Sequence, residues 1–429
     1  MEHVDVAIVG AGLAGLSCAY TLGKAGLDVL VVERGDYPGS KNVTGGRLYM
    51  EPVRPYFPDI WQEAPFERHV TRERLAMLSE ETSVTMELRS DAFGKQPYHS
   101  NTLLRPTFDK WLADKATEAG AAVIPKYKVE SLIRDNGKVT GIRAEGEDIG
   151  ASVVVAADGA MSFIAQEAGL RSKHDPEHFA VGAKETIELP RKVIEDRFNL
   201  VGEEGLAQLY FGTLTKGMTG GGFLYTNRES ISLGIVVGIG PLMKNPEHTE
   251  TYQLLEQFKQ RPEISPLIEG GELVEYSAHA IPEGGISSMP KLYSDGILVT
   301  GDAAGFALNM GMIVRGMDLA MASGAIAAET IKNAKTRNDY SASSLSTYEQ
   351  MLNQSFVLKD LRTFRNVWKV LSNPRLFQKY PQVVSSLLTE LMYIGAEPKS
   401  KFSSTVMKQV RKNFFNLSTL KDLMSLLKI

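Results

Sequence analysis

The chain has 429 residues, of which 43% are hydrophobic and 23% are charged, and its formal net charge is −4. These values exclude a disordered chain, and the length fits two or three lobes better than one core. A single cysteine, Cys18, excludes a disulfide framework and an iron–sulfur or zinc site made of this chain's cysteines alone.

Residues 4–34 predict a strand, a tight turn, a helix and a second strand. The apolar runs Val4–Val9 and Val29–Val32 flank a helical segment, Leu13–Gly26, and the turn carries glycines at positions 10, 12 and 15. In such a unit the glycines permit the turn, a close backbone approach to a pyrophosphate, and helix–strand packing. Glu33 ends the second strand, 21 residues after Gly12, where a carboxylate accepts hydrogen bonds from an adenosine ribose. We therefore predict a dinucleotide site and, because Glu33 disfavours a 2′-phosphate, not an NADP site.

The middle of the chain predicts two further strand ends of the same kind. Helix Arg105–Gly120 and an Asn-Gly hairpin turn at 136–137 precede the buried strand 151–157, which leads into Asp158-Gly159. Residues 179–240 have a glycine-rich β pattern that indicates a separate antiparallel lobe. Strand Ile297–Thr300 leads into Gly301-Asp302, and a helix is expected from Gly316 to Asn333. The longest apolar run, Ile231–Met243, is too short to span a bilayer.

The C-terminal region differs from the rest in charge. Residues 356–429 hold 13 Lys/Arg and 4 Asp/Glu, a balance of +9, whereas residues 1–355 hold 34 and 47, a balance of −13. Apolar residues at helical spacing, including Phe364, Trp368 and Phe414, predict basic amphipathic helices. Such helices bind anionic lipid headgroups or an acidic protein partner, or present a solvated face, and the sequence leaves these readings open.

The three strand-end motifs together resemble the FAD enzymes of the glutathione-reductase class. The resemblance implies an α/β FAD-binding fold, with an antiparallel β substrate lobe and a helical C-terminal region. It places Asp302 near the ribitol, the backbone of Gly311 and Met312 near the flavin pyrimidine edge, and Arg105 in contact with FAD. The expected cofactor-binding residues are Gly10, Gly12, Leu13, Ala14, Gly15, Glu33, Arg34, Lys41, Gly45, Gly46, Arg105, Asp158, Gly159, Gly301, Asp302, Gly311 and Met312.

Longer strings resemble the FixC-type members of the electron-transfer-flavoprotein:quinone oxidoreductases: Lys41–Arg47, Tyr276–Gly285 and Gly301–Gly324. Tyr276, His279 and Gly284 are the quinone-side candidates, although a packed histidine or tyrosine is the default for the first two. The resemblance implies a two-subunit electron-transfer flavoprotein, a small ferredoxin-like iron–sulfur subunit and a membrane quinone (menaquinone or ubiquinone) as partners. It implies electron bifurcation in a multi-subunit complex, attached peripherally to the cytoplasmic face of the cell membrane. We expect no metal site and no nucleic-acid partner.

We expect a discontinuous FAD-binding domain at 1–175 and 285–335, a quinone lobe at 176–284 and a helical contact region at 336–429. Three other functions share the FAD motifs: a geranylgeranyl-type reductase of isoprenoid double bonds, a flavin monooxygenase, and an electron-relay subunit without its own substrate site. The stretch Asn309–Met317 fits the first of these less well than the quinone oxidoreductases.

Overall fold

A computed structural model describes residues 2–42, 46–413 and 417–427. The strands in these ranges are β1 (Glu2–Val9), β2 (Val29–Val32), β3 (Arg47–Tyr49), β4 (Phe66–Leu78), β5 (Ser83–Arg89), β6 (Ser100–Leu103), β7 (Ala122–Ile124), β8 (Val129–Asp135), β9 (Lys138–Ala144), β10 (Glu147–Ala156), β11 (Phe179–Glu188), β12 (Glu204–Gly212), β13 (Gly220–Thr226), β14 (Ser230–Gly238), β15 (Glu272–Pro282), β16 (Tyr293–Ser294), β17 (Ile297–Val299), β18 (Leu308–Asn309) and β19 (Val314–Arg315).

The α-helices of the same ranges are α1 (Leu13–Lys24), α2 (Arg105–Glu118), α3 (Phe163–Glu167), α4 (Arg191–Phe198), α5 (Ile239–Met243), α6 (Thr251–Lys259), α7 (Ser265–Ile268), α8 (Met317–Arg337), α9 (Ala342–Leu345), α10 (Thr347–Gln354), α11 (Phe356–Thr363), α12 (Val367–Leu371), α13 (Lys379–Met392), α14 (Phe402–Asn413) and α15 (Leu417–Leu426). Short 3-10 turns lie between several of them. Within the described ranges, these helices are too short or too polar to cross a membrane.

The first sheet is mainly parallel and contains all three predicted strand ends. Its order is β16-β17-β10-β1-β2-β7, and β17, β10, β1, β2 and β7 run parallel, while β9 joins β10 antiparallel. The predicted hairpin is confirmed: Asn136 and Gly137 both have positive φ and connect β8 to β9. Because parallel strands end at the same edge of a sheet, the residues after β1, β2, β10 and β17 meet in one crevice.

Close backbone packing holds α1 and α8 over this sheet. A Cβ added at Gly15 would lie 2.1 Å from the Gly10 carbonyl oxygen, and one added at Gly324 would lie 2.1 Å from the Ala14 oxygen. Helix α1 ends two residues before Gly26, whose φ of +76° stops it, so the helix is slightly shorter than predicted. The glycines therefore set the distance between α1, its sheet and α8.

The second sheet has the order β15-β11-β14-β13-β12-β4-β6-β3, with β5 paired to β4. It is antiparallel as expected except for one pair, since β12 runs parallel to β4. Residues 47–103 thus contribute strands to this sheet, although the sequence assigned them to the FAD-binding domain. We therefore propose that residues 47–103 belong to the second lobe, together with residues 176–284. This lobe has its own apolar core around residues such as Leu233, Ile235 and Phe258.

Helices α9 to α12 return to the first lobe. In α11, Val357 and Leu361 are buried in its core and Phe364 packs partly against it. The apolar face of this predicted amphipathic helix is therefore already covered, and Trp368 is half-buried as well. Phe414 lies outside the described residues. Exposed apolar side chains occur instead on α14 and α15, such as Phe402 and Leu423, and at Leu427, directly after α15.

Candidate functional site

A cavity of about 950 Å³ lies along the carboxyl edge of the first sheet and continues beneath the second sheet. This volume is at the upper end for small-molecule sites and suits an extended ligand. Its lining changes in character from one part to the other. Polar and glycine residues line the part at the strand ends, and apolar residues line the part next to the second sheet.

The turn after β1 forms the polar end. Gly12 precedes α1 with an extended backbone, and a Cβ there would meet no heavy atom within 4 Å, so its backbone faces open cavity. The Glu33 carboxylate accepts hydrogen bonds from the N–H groups of Ala11 (2.9 Å) and Gly35 (2.6 Å). These bonds fix the carboxylate beside the N-terminus of α1, whose free N–H groups and dipole favour a phosphate. The local geometry is that of a pyrophosphate site with a ribose acceptor next to it.

Asp158 and Asp302 line the middle of the cavity. One oxygen of Asp158 accepts from the Ile164 N–H at 3.0 Å, and the other, Oδ1, is buried without a partner among the described residues. Burial raises the pKa of Asp158 to about 6, and the nearby Arg34 opposes this rise. Burial also raises the pKa of Asp302, against the opposing charge of Arg105. The Oδ1 atom of Asp158 is thus placed to accept a hydrogen bond from a ligand.

Arg105 begins α2 and is buried in an ion pair. Its guanidinium donates two bonds of 2.8 Å to Asp109, and the Asn42 amide donates to the same carboxylate at 2.6 Å. Arg105 also lines the cavity, and its charge lowers the pKa of His279, after the larger effect of burial. His279 is therefore held toward its neutral form.

The N-terminus of α8 faces the next part of the cavity. Gly316, Met317 and Ala320 line it, preceded by the β18–β19 hairpin with Gly311 and Met312 at its turn. A 21-residue helix has a positive N-terminal dipole, which stabilises negative charge that develops beside it. Arg315 adds no free charge there, because it is paired with Asp318 and Asp360.

The far end of the cavity is apolar, and three separate regions of the chain build it. The second sheet, the β18–β19 hairpin and the C-terminal helices contribute Leu209, Phe211, Phe223, Val236, Ile281, Leu308, Met310, Leu371, Leu376, Phe377 and Leu426. An apolar molecule is stabilised here by roughly 25 cal/mol for each Å² that it removes from water. One cavity therefore joins a nucleotide-type site to an apolar site.

Comparisons with known proteins agree with this division. Three family models match: FAD binding domain over residues 3–188; ETF-QO, ubiquinone-binding over 179–281; and ETF-QO/FixC family C-terminal domain over 367–429. The probable electron transfer flavoprotein-quinone oxidoreductase YdiS of Escherichia coli (strain K12) is 46% identical over 411 residues, covering 96% of this chain and 95% of that protein. Protein FixC of Azorhizobium caulinodans is 43% identical over 404 residues, covering 93% and 92%.

This chain belongs to the FixC-type electron-transfer-flavoprotein:quinone oxidoreductase family. It is therefore an FAD-dependent oxidoreductase, and its membership supports electron transfer to a quinone. Among solved structures, it is similar to a geranylgeranyl bacteriochlorophyll reductase-like protein from Thermoplasma acidophilum, with a TM-score of 0.75 and 24% identity over 99% of this chain and 100% of that chain. The flavin-dependent brominase Bmp2 has a TM-score of 0.63 and 16% identity over 96% and 100%. At these identities the two structures show the fold alone.

The residues of this FixC-type chain fit FAD. The open backbone at Gly12, the unpartnered Asp158 oxygen and the N-terminus of α8 all face one cavity, where they suit the adenosine diphosphate, ribitol and flavin parts of the cofactor. Bound there, FAD would supply the electron-transfer chemistry. The protein supplies position, burial and charge around it.

Most of the predicted cofactor residues line the cavity: Gly10, Gly12, Leu13, Ala14, Glu33, Arg34, Lys41, Gly46, Arg105, Asp158, Gly159, Asp302, Gly311 and Met312. Gly15 and Gly301 do not line it and instead allow close packing against the Gly10 carbonyl and the Ala14 side chain. Gly45 lies outside the described residues.

Of the three quinone-side candidates, the structure places one in the cavity and two outside its lining. His279 lines the cavity, whereas Tyr276 is 49% exposed, because residues three apart on β15 point to opposite faces. Gly284 is buried against Ser288 and His178 and does not line the cavity.

Several cavity residues were not singled out from the sequence. Phe223 and Tyr225 come from β13, and a Cβ at Gly46 would lie 2.7 Å from the Tyr225 ring. Arg47, next to Gly46, lines the cavity as well and is paired with Glu73. The glycine before Arg47 was a usable signal for a close approach. Phe223 and Tyr225 gave none, because strand pairing alone brings them there.

Proposed function

We propose that this chain is the FAD subunit of an electron-bifurcating complex, which takes electrons from a two-subunit electron-transfer flavoprotein and a small ferredoxin-like iron–sulfur subunit and passes them to membrane quinone. The observation that carries the proposal is the single cavity with a nucleotide end and an apolar end. A flavin ring at the junction would contact a quinone directly, so electrons need no long path.

The chain's composition supports separate donor subunits. Its one cysteine is buried in α1, so the chain cannot ligate an iron–sulfur cluster through cysteines of its own. One nucleotide-type turn, at Gly10–Gly15, is visible in the sequence and no nicotinamide fingerprint. We therefore propose that electrons reach the flavin from partner proteins, rather than as hydride from NADH.

Access from a membrane is supported by α15. Leu426 of this helix lines the apolar end of the cavity, while Leu423, Met424 and Leu427 are 56%, 55% and 80% exposed. The apolar end thus lies beside an exposed apolar helix face. We propose that this face rests on the cytoplasmic surface of the cell membrane and lets quinone enter.

Co-purification tests the assembly most directly. Under the proposal, an affinity-tagged chain expressed in its native host brings down an iron-containing small subunit and a two-chain flavoprotein at fixed stoichiometry. The isolated, chemically reduced chain should transfer electrons to a short-chain quinone. Rapid NADH oxidation by the chain alone, or turnover of prenyl lipids without quinone reduction, would refute the proposal, the latter in favour of an isoprenoid reductase.

A further inference from the structure

A second, smaller cavity of about 90 Å³ adjoins the apolar part of the main cavity. Four residues line both, and so form the wall between them: Thr219, Glu283, Asn309 and Leu371. Of these four, Glu283 has the ionisable side chain. A carboxyl group thus stands between the two cavities.

Glu283 is held in place from two sides. Its backbone N–H donates to the His178 carbonyl at 2.8 Å, directly after β15. The Asn309 amide donates to its Oε1 at 3.4 Å, while the Asn309 oxygen accepts the Gly311 N–H at 2.9 Å. This second bond fixes the orientation of the Asn309 amide, so its donor faces Glu283. Burial raises the pKa of Glu283 and so favours its protonated form. The hydrogen bond from Asn309 opposes this rise.

Glu177 lines the small cavity together with Glu283 and is partly exposed at the protein surface. Its side chain is 44% exposed and is paired with the exposed Lys244. Trp368 lines the same cavity, and its Nε1–H is buried without a partner among the described residues. Since a water molecule takes about 30 Å³ of liquid volume, the cavity has room for a short file of water that this donor would bind. Two histidines are close to Glu283 in the fold or the chain: His178, whose carbonyl accepts the Glu283 N–H, and His279, on the strand that Glu283 follows.

We propose that Glu283 is a proton-relay residue, which passes protons from the Glu177 side of the small cavity into the main cavity. The proposal rests on quinone reduction in the main cavity. There, quinone takes two electrons from the flavin and two protons to become quinol. For each proton, the Glu283 O–H bond breaks as an O–H bond forms on the quinone side, and solvent protons return to the carboxylate by way of Glu177. Under the proposed function, the donors supply electrons without protons, so over a full cycle of flavin reduction and reoxidation the two protons of the quinol must come from solvent.

The decisive variant is Glu283→Gln, which keeps the side-chain volume and the acceptor for Asn309 but carries no exchangeable acid proton. Its matched control is Glu272→Gln, an exposed carboxylate at the start of β15, the strand that Glu283 follows. Both are purified with FAD bound, chemically reduced and mixed with either a short-chain quinone or ferricyanide, which accepts electrons without protons. We expect Glu283→Gln to lower quinone reduction by about 100-fold or more and to leave ferricyanide reduction unchanged. Glu272→Gln should behave as the wild type in both.

Infrared difference spectroscopy gives a readout that is independent of turnover. A protonated-carboxyl band that shifts in D₂O should respond to the oxidation state of the wild type and of Glu272→Gln, and be absent from Glu283→Gln. If Glu283→Gln fails to fold, Glu283→Asp and Glu177→Gln replace it. Glu283→Asp should keep part of the quinone-reduction rate. Glu177→Gln should lower that rate and raise the solvent isotope effect on quinone reduction.

The outcomes distinguish failure of the proton relay from failure of the proposed function. Quinone reduction by Glu283→Gln at the wild-type rate overturns the relay and leaves the proposed function intact. Equal losses with quinone and ferricyanide, together with lost flavin, show a structural role and also overturn it. Failure of the wild type itself to reduce quinone overturns the proposed function. If the wild type also shows no protonated-carboxyl band in the infrared difference spectrum, the proton relay is refuted as well.

Discussion

Gly12→Ala should separate cofactor binding from folding. Gly12 has φ −84° and ψ 179°, which alanine adopts without strain, and an added Cβ would meet no heavy atom within 4 Å. The folded chain therefore loses only a preferred capping residue. We expect the free energy of unfolding without FAD to change by about 0.5 kcal/mol or less.

The cost in binding follows from where the added methyl group points. Gly12 lines the cavity at the start of α1, so the methyl group occupies the space through which a phosphate would approach the first N–H groups. Losing one charge-assisted hydrogen bond, worth about 1.5–3 kcal/mol, weakens FAD binding by about 10- to 100-fold. Gly15→Ala is the contrast. Its Cβ would lie 2.1 Å from a carbonyl oxygen, so we expect it to destabilise the fold by about 1–3 kcal/mol.

The assay combines two measurements on deflavinated protein: FAD titration followed by flavin fluorescence, and urea unfolding without FAD. Gly94→Ala is the matched control, since Gly94 is exposed, has its nearest neighbour at 3.5 Å and lies away from the cavity. The reasoning is refuted if Gly12→Ala binds FAD as tightly as Gly94→Ala, or if it unfolds as readily as Gly15→Ala.

Three further predictions follow from the same geometry. Glu33→Gln replaces a carboxylate that accepts two backbone N–H groups by an amide with one acceptor, so calorimetry should show FAD binding weakened by about 10-fold. The pKa of Asp158 is higher in the folded chain than the unfolded value of 3.8, so its ionisation costs stability as the pH rises from about 4 to about 6. Asp158→Asn should then stabilise the FAD-free chain by about 1–3 kcal/mol near neutral pH and by less as the pH falls, and a gain in urea unfolding that does not depend on pH would contradict this. Replacing Lys401, Lys408 and Lys412 of the exposed α14 region by glutamine should weaken flotation with anionic vesicles by about 100-fold, at about 1 kcal/mol each, while unchanged flotation would favour a protein partner for this surface.

The local sequence determined the FAD half of this protein. The turn at Gly10–Gly15, the acid at Glu33 and the two later strand ends each depend on neighbours within about 25 residues. Parallel strands bring their carboxyl ends to one edge, so these local features converge without further information. Most of the predicted cofactor residues accordingly line one cavity.

The second sheet was decided by tertiary structure. Strand β4, at residues 66–78, pairs in parallel with β12, at 204–212, and no local pattern specifies a partner more than 130 residues away. Pairing of β13 with β12 and β14 brings Phe223 and Tyr225 to the cavity, which no local pattern announced. Glu283 lies within the string Tyr276–Gly285, which is recognisable from the sequence. Its place between two cavities exists only because residues near 177, 283, 309 and 368 pack together, and side-chain burial, unlike strand-end position, cannot be read from spacing alone.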